Sequence, residues 1–168
     1  MSETRFKLGM VGCGLIARAH GLAAAKSKVD IRFVACSSRR AESAQAFAEE
    51  FACTYWSTDH RALLAENRLD GIVIATPPDS HVAIIRDALD AGVRFILCEK
   101  PLTMTAVEAE DVQAAATDVG ATVIEGFMYR YHPQIARLIE LTASGELGAI
   151  DQIHSVVNML DESESGGA

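Results

Sequence analysis

The sequence lacks several patterns that would assign it to common classes of protein. Its four cysteines include no C-x-x-C pair and its five histidines include no H-x-x-x-H pair. We therefore predict no metal site, and reduced thiols rather than disulfides. No apolar run is long enough to cross a membrane, and the first residues do not form a signal-peptide pattern. These absences lead us to expect a cytoplasmic protein that does not bind membranes.

Basic residues are also scarce. Lys+Arg number 15 against 23 for Asp+Glu, and the formal net charge of −8 argues against a general nucleic-acid-binding protein. A local basic site for a phosphorylated small molecule is still compatible with this balance. The 168 residues are enough for one domain with a sizeable core, and a composition of 49% hydrophobic and 23% charged residues is that of an ordinary globular protein.

The sequence does contain a regular alternation of short apolar strands and amphipathic helices. This alternation predicts a parallel sheet covered by helices on both faces. Six strands joined by right-handed crossovers would form a doubly wound α/β fold of the Rossmann type, which binds dinucleotides. The predicted strands are residues 6–11, 31–36, 53–56, 71–76, 93–98 and 122–125.

The first predicted strand is followed directly by two glycines and a helix. Gly12 would allow the tight turn, and Gly14 would let the backbone approach phosphate groups closely. The helix directs its first N–H groups and its positive end at the same point. We therefore predict that Gly12, Gly14, Leu15 and Ile16 bind the pyrophosphate of a dinucleotide. An ordinary glycine turn between a strand and a helix would give the same pattern.

The second predicted strand ends without the acidic residue that usually binds the ribose of NAD. It ends instead in Ser37, Ser38, Arg39 and Arg40. Hydroxyls and guanidinium groups suit the 2′-phosphate of NADP, because arginine binds phosphate through two parallel hydrogen bonds. We predict NADP as the cofactor, with NAD less favoured, and Ser37, Ser38 and Arg39 as its contacts. The competing interpretation of the arginines is a solvated helix start, where positive charge is unfavourable.

Two more strand ends carry candidate site residues. Thr76 and Pro77 end the fourth strand and would pass near the nicotinamide half of the cofactor, whereas His81 is either a ligand contact or a residue of the first helical turn. Glu99 and Lys100 end the fifth strand. A lysine at the ligand end of a buried strand is a candidate proton donor or carbonyl-polarising group, and a surface lysine is the competing interpretation.

The pattern changes after Gly126. Residues 134–143 predict a helix, and residues 150–160 predict one long strand without a partner in the sequence. Such a strand is an open edge that would pair with another chain. We therefore expect two domains: residues 1–125 as the dinucleotide-binding domain, and residues 126–168 as the truncated start of an α+β substrate domain.

Four motifs in this order resemble the glucose–fructose oxidoreductase / inositol dehydrogenase / MocA family. They are Gly12-Cys-Gly-Leu-Ile-Ala17, Ala75-Thr-Pro-Pro-Asp-Ser-His81, Cys98-Glu-Lys-Pro-Leu102 and Glu125-Gly-Phe-Met-Tyr-Arg-Tyr-His-Pro133. The last motif and residues 144–148 are most similar to the branch that contains dimeric dihydrodiol dehydrogenase and NADP-dependent xylose dehydrogenase. The resemblance covers essentially the whole chain.

The resemblance implies an NAD(P)-dependent oxidoreductase that transfers a hydride between the nicotinamide and a carbon of a sugar, polyol or related compound. It implies that Lys100 is catalytic, beside the nicotinamide and the substrate hydroxyl, and that Glu99 supports this site. It also implies that Arg130 lies near the cofactor and that a cis bond precedes Pro101. Subunits of the family pair through the sheet of the second domain, so a homo-oligomer of that kind is consistent with the resemblance.

Members of this family continue for roughly another domain's length. Their second domain carries a Gly-rich stretch whose last residue, His or Tyr, shares the proton transfer with the lysine. Residues 163–168 resemble the opening of that stretch, so we expect this chain to hold the cofactor site and half of the catalytic pair. A non-catalytic NADP-binding module or subunit is therefore the alternative function. A methyltransferase is disfavoured, because Glu99-Lys100-Pro101 would have no role in it.

Overall fold

The computed structural model describes residues 6–66 and 68–156. Within these residues, six strands form a parallel sheet in the order β3-β2-β1-β4-β5-β6. The strands are β1 (Phe6–Val11), β2 (Ile31–Ser37), β3 (Tyr55–Ser57), β4 (Gly71–Ile74), β5 (Phe95–Cys98) and β6 (Thr122–Glu125). The helices are α1 (Leu15–Ala25), α2 (Ala41–Phe51), α3 (His60–Glu66), α4 (His81–Asp90), α5 (Ala106–Asp118) and α6 (Pro133–Ala143). This order confirms the predicted doubly wound sheet.

Successive residues of the central strands alternate between two apolar layers, as the period of a β-strand requires. Met10 of β1 and Val73 of β4 belong to the layer that includes Phe47 of α2. Val11 and Ile72 belong to the opposite layer, which includes residues of α3, α4 and α5. All four residues of β4 are buried, because helices cover both faces of this strand.

Four strands have limits that differ from the predicted ones, and β2 differs only by extending one residue further, to Ser37. β4 ends at Ile74 rather than at residue 76, because the chain already turns there towards Pro77. β5 begins at Phe95 rather than at residue 93. β3 covers residues 55–57 rather than 53–56, since Ala52 ends α2 in a left-handed conformation and the N–H of Cys53 still bonds to Ala48.

Helix starts at the carboxyl edge of the sheet differ in how they are capped. α3 begins after Asp59, whose Oδ1 accepts a hydrogen bond from the amide two residues later at 2.9 Å. α5 begins with a capping box between Thr105 and Glu108. The N-cap residues of α1 and α2 are Gly14 and Arg40, and neither forms a side-chain capping hydrogen bond. Their first N–H groups are therefore available to another acceptor.

The chain separates into two compact units between Phe127 and Met128. In the second unit, a 3-10 turn (Met128–Tyr131) precedes α6, whose first turn is capped by His132. The long strand predicted for residues 150–160 is wrong over residues 150–156, which form no strand, and its remaining residues lie outside the described ones. A strand requires a hydrogen-bonded neighbour, and none of the described residues pairs with this segment. The described helices include none that is long and apolar enough to cross a membrane.

Candidate functional site

A cleft of about 820 Å³ lies at the carboxyl ends of β1, β2 and β4. This is the switch point of the sheet: β2 lies on one side of β1 and β4 on the other, so the connecting helices leave to opposite faces. The predicted site residues that line the cleft are Gly12, Gly14, Ser37, Ser38, Arg39, Thr76 and Pro77. Leu15, Ile16, His81, Glu99 and Lys100 are not part of this lining.

The two glycines of the first loop meet different constraints. Gly12 has φ of 91°, and a Cβ on it would lie 2.6 Å from the carbonyl oxygen of Ala75. Its N–H donates to the carbonyl of Ser37 at 2.8 Å, which ties the ends of β1 and β2 together. A Cβ on Gly14 would meet nothing within 4 Å. Gly12 is thus needed for the turn itself, whereas Gly14 leaves open space at the start of α1, as a bound pyrophosphate requires.

The start of α1 carries no compensating negative charge. Its first turn contains no acidic residue, so the positive end of the helix is not neutralised locally. The side chains of Leu15 and Ile16 are 90% and 41% exposed and lie outside the cleft. Any contact of these two residues with a ligand would therefore be made by their backbone N–H groups. Their predicted contact with the cofactor stays a prediction.

The part of the cleft near the end of β2 is basic and rich in hydroxyls. Ser37 is buried, while Ser38, Arg39 and Arg40 follow it along the rim. Neither arginine forms an ion pair with a described residue. The one acidic residue in the described lining, Asp79, follows β4 rather than β2. Hydroxyl and guanidinium donors of this kind suit a phosphate group, and no carboxylate follows β2 in the described lining to accept a hydrogen bond from a ribose hydroxyl.

The sequence analysis did not identify three other residues of the lining: Ser43, Thr58 and His60. Ser43 lies in the first turn of α2, and Thr58 and His60 follow β3, so all three lie at the same carboxyl edge. Their positions directly after a strand or at the start of a helix are the sequence feature that could have identified them as residues of the cleft. His60 Nε2 lies 2.7 Å from Oδ2 of Asp87.

Asp87 joins His60 and Arg61 in a small charged cluster behind the cleft. Burial by itself would raise the pKa of Asp87, but hydrogen bonds from Arg61 and His60 lower it overall below its usual range. The carboxylate is therefore stabilised in its ionised form.

The segment that contains Lys100 is held by side chains from three other elements. Glu125 of β6 accepts a hydrogen bond from the N–H of Leu102 at 2.9 Å. His81 of α4 lies 3.0 Å from the carbonyl oxygen of Pro101, and His20 of α1 lies 2.8 Å from the carboxylate of Glu99. The Lys100–Pro101 bond is cis, as the family resemblance implied. The Lys100 side chain is exposed at the end of β5.

His81 has a different role from the predicted contact with a ligand. Its side chain is fully buried, and its Nε2 lies 2.9 Å from the carbonyl oxygen of Thr76 while its Nδ1 faces that of Pro101. Because both ring nitrogens face backbone carbonyls, no edge of the ring is left for a ligand. His81 instead connects the cleft wall at Thr76 to the segment that follows Lys100.

The four cysteines are free thiols. The hydrogen bond with Cys13, together with burial, raises the pKa of Cys36 to about 12, and burial beside Glu99 and Glu125 raises that of Cys98 to about 12. The pKa of Cys53 is also raised, by its hydrogen bond with Cys36 and by burial. These thiols stay protonated and unreactive at neutral pH. Among the described residues, no cluster of His, Cys, Asp or Glu could hold a metal ion.

Arg130 lies in the 3-10 turn of the second unit. Its predicted place near the cofactor therefore stays a prediction, as do the domain limits 1–125 and 126–168.

A strand, a glycine turn and an uncapped helix at the switch point of a parallel sheet define the class of protein as a dinucleotide-binding Rossmann domain. Residues 6–127 match the family model described as an oxidoreductase family with an NAD-binding Rossmann fold, GFO_IDH_MocA. The chain belongs to this oxidoreductase family.

Similar proteins extend this result. D-xylose 1-dehydrogenase (NADP(+)) 2 of Haloferax volcanii is 41% identical over 72% of this chain and 37% of its own length. Inositol 2-dehydrogenase of Rhizobium meliloti is 28% identical over 88% of this chain and 43% of its own length. A 3-ketoreductase from Actinomadura kijaniata, solved with TDP-benzene and NADP, aligns with a TM-score of 0.78 and 31% identity over 88% of this chain and 46% of its own. The chain thus spans less than half the length of these relatives.

Proposed function

We propose that this chain is the cofactor-binding part of an NADP-dependent oxidoreductase that acts on a carbon bearing a hydroxyl or carbonyl group in a sugar, polyol or related compound. The observation that carries the proposal is the cleft at the carboxyl ends of β1 and β2, lined by Gly12, Gly14, Ser38 and Arg39. When bound, the nicotinamide supplies a carbon that accepts or donates a hydride.

NADP is preferred to NAD because of the charges around the end of β2. Arg39 and Arg40 stand at the start of α2, where the helix dipole disfavours positive charge, and they pair with none of the described carboxylates. A 2′-phosphate would supply the missing negative charge and accept hydrogen bonds from Ser38 and Arg39. The two relatives named above with NADP support this preference for the chain.

Lys100 is the proposed catalytic residue. Its Nζ would exchange a proton with the substrate oxygen and polarise that oxygen. Its exposed side chain follows a buried strand, on a segment that other elements hold in position. Glu99 supports this group. Sugar and inositol dehydrogenases among the relatives indicate the substrate class, and pairing of subunits through a C-terminal sheet remains part of the proposal.

The cysteines support a proposed cell compartment. All four are free thiols, which suits a reducing environment, so we propose a cytoplasmic location. The net charge of −8 disfavours nucleic acid as a partner.

A dinucleotide-binding module without catalysis is the second candidate. It is favoured by one observation: Lys100 and Glu99 are not part of the cleft lining in this chain.

The test is thermal unfolding of the 168-residue chain with NADPH, with NADH and with neither. A ligand that binds only the native state stabilises it by about 2.7 kcal/mol at 100 times its dissociation constant. For a protein of this size that is a shift of a few degrees. We expect a larger shift with NADPH than with NADH. A larger shift with NADH would overturn the cofactor assignment, and no shift with either would overturn the proposed function.

A further inference from the structure

His20 of α1 forms the closest contact to the carboxylate beside Lys100. Its Nε2 lies 2.8 Å from Oε1 of Glu99, although the two residues are 79 positions apart in the chain. The side chains are 22% and 13% exposed, so the pair is largely shielded from water. A contact of this kind is stronger than the same pair on an open surface.

The Glu99 carboxylate is fixed from two further directions. Its Oε2 accepts a longer hydrogen bond, 3.3 Å, from the backbone N–H of Lys100. A Cβ on Gly126 would lie 3.2 Å from Oε1, so a side chain at that position would press against the carboxylate. Because Gly126 has no side chain, the Glu99 carboxylate can occupy its position beside His20.

The Lys100 ammonium, by contrast, has no hydrogen bond or ion pair with any residue in the described ranges 6–66 and 68–156. The nearest carboxylate in sequence is engaged by His20. The other carboxylate at this segment, Glu125, accepts from the N–H of Leu102. Both carboxylates next to the lysine thus have other partners, and its amine is left for another group.

We propose that His20 is a positioning residue that acts on Lys100 through Glu99. By holding the carboxylate, His20 keeps it from pairing with the Lys100 ammonium, which leaves the amine free to exchange a proton with a substrate. The inference rests on the proposed function in one respect: it is Lys100 that acts on the substrate. The claim that His20 controls the reactivity of the Lys100 amine does not depend on a catalytic role of Lys100.

The test measures how fast the Lys100 amine reacts. The 168-residue protein is labelled with trace acetic anhydride at pH 8, and mass spectrometry gives the acetylation of Lys100 relative to the exposed Lys28. We expect His20→Ala to slow the acetylation of Lys100 by about threefold or more, because the Glu99 carboxylate, once released from His20, would favour the charged ammonium. Glu99→Gln should label Lys100 like the wild type, because the carboxylate that it removes is already held by His20. The double variant should match Glu99→Gln alone, since His20 then has no carboxylate to hold.

Two matched controls separate this role from general stability. His20→Gln retains an N–H donor at the same reach and should label like the wild type. Arg18→Ala removes a contact of the same length on the same helix, to Glu50 at 2.8 Å, and should also label like the wild type. Circular dichroism checks that each variant is folded. If His20→Ala does not fold, His20→Leu, which fills a similar space without an N–H donor, takes its place.

Unchanged labelling of Lys100 in folded His20→Ala would overturn the inference. So would additive effects in the double variant, because His20 would then act by another route. NADPH gives the separate test of the proposed function: a cofactor beside Lys100 should protect it from acetylation. Loss of that protection with the His20 effect intact would refute the catalytic role and leave the control by His20 standing.

Discussion

Two regions of the carboxyl edge are built in opposite ways. The region around Gly14 and Arg39 is open, with an uncapped helix start and cations that have no partner among the described residues. The segment around Lys100 is closed, with His20, His81 and Glu125 bonded to the residues on either side of the lysine. This difference suits the two proposed roles: a region that binds a large anion leaves its donors free for the ligand, whereas a segment that presents a single reactive amine is held by its neighbours.

Replacing Gly12 should disturb both regions and have the largest effect. Gly12→Ala forces a Cβ against the carbonyl of Ala75 at a φ of 91°. We expect a loss of about 3 kcal/mol in the free energy of unfolding, measured by urea denaturation.

Gly14→Ala is the matched control, because its φ is −92° and the added Cβ meets no protein atom within 4 Å. Stability should change by less than about 1 kcal/mol. NADPH binding should weaken by about tenfold or more, or 1.4 kcal/mol, because the methyl group fills the space left for phosphate. Equal destabilisation by the two substitutions would contradict the distinction between the turn glycine and the ligand glycine.

Breaking the closed region alone should cost somewhat less. His81→Leu removes the buried ring whose nitrogens lie against the carbonyl oxygens of Thr76 and Pro101, so the carbonyl that accepts the ring N–H loses its donor. We expect about 2 kcal/mol of destabilisation in urea. The exposed His154 gives the control: His154→Leu should leave the unfolding midpoint unchanged. A stable His81→Leu variant would mean that the ring does not link the two segments.

Breaking the open region alone should affect binding and not stability. Arg39→Ala removes a charged donor at the rim of the cleft, so we expect NADPH to bind about 10- to 100-fold more weakly in a fluorescence titration. NADH binding and the thermal midpoint without ligand should be unchanged. Arg86→Ala, on the exposed face of α4, controls for net charge. Equal losses for NADPH and NADH would refute the 2′-phosphate site.

The charged cluster behind the cleft should give the smallest effect. Because the pKa of Asp87 is lower in the folded protein than in the unfolded chain, its contribution is complete above the unfolded value near 3.9 and is lost as the pH falls through the folded value. Acidification from pH 5 to pH 3 should therefore weaken the wild type more than Asp87→Asn, by up to about 1 kcal/mol in urea titrations.

Asp111→Asn removes a more exposed carboxylate, 3.7 Å from Arg86, and should follow the wild type. The same acid dependence in Asp87→Asn and the wild type would show that Arg61 and His60 do not stabilise this carboxylate.

The sequence by itself determined the order of strands and helices, the glycine turn, and the carboxyl edge of the sheet at which Ser38, Thr76 and Lys100 stand. These features depend on local signals: strand and helix periods, and glycines between a strand and a helix. The predicted strand over residues 150–160 is wrong over residues 150–156, because an apolar run becomes a strand only beside a hydrogen-bonded neighbour.

Only the tertiary structure decided which side chains face each other across the edge. The contacts of His20 with Glu99 and of His60 with Asp87 join residues 79 and 27 positions apart, and no local pattern specifies such pairs. The inward orientation of His81 was open for the same reason. Its place at a helix start was visible in the sequence, but the direction of its ring depends on how α4 packs beside Thr76 and Pro101.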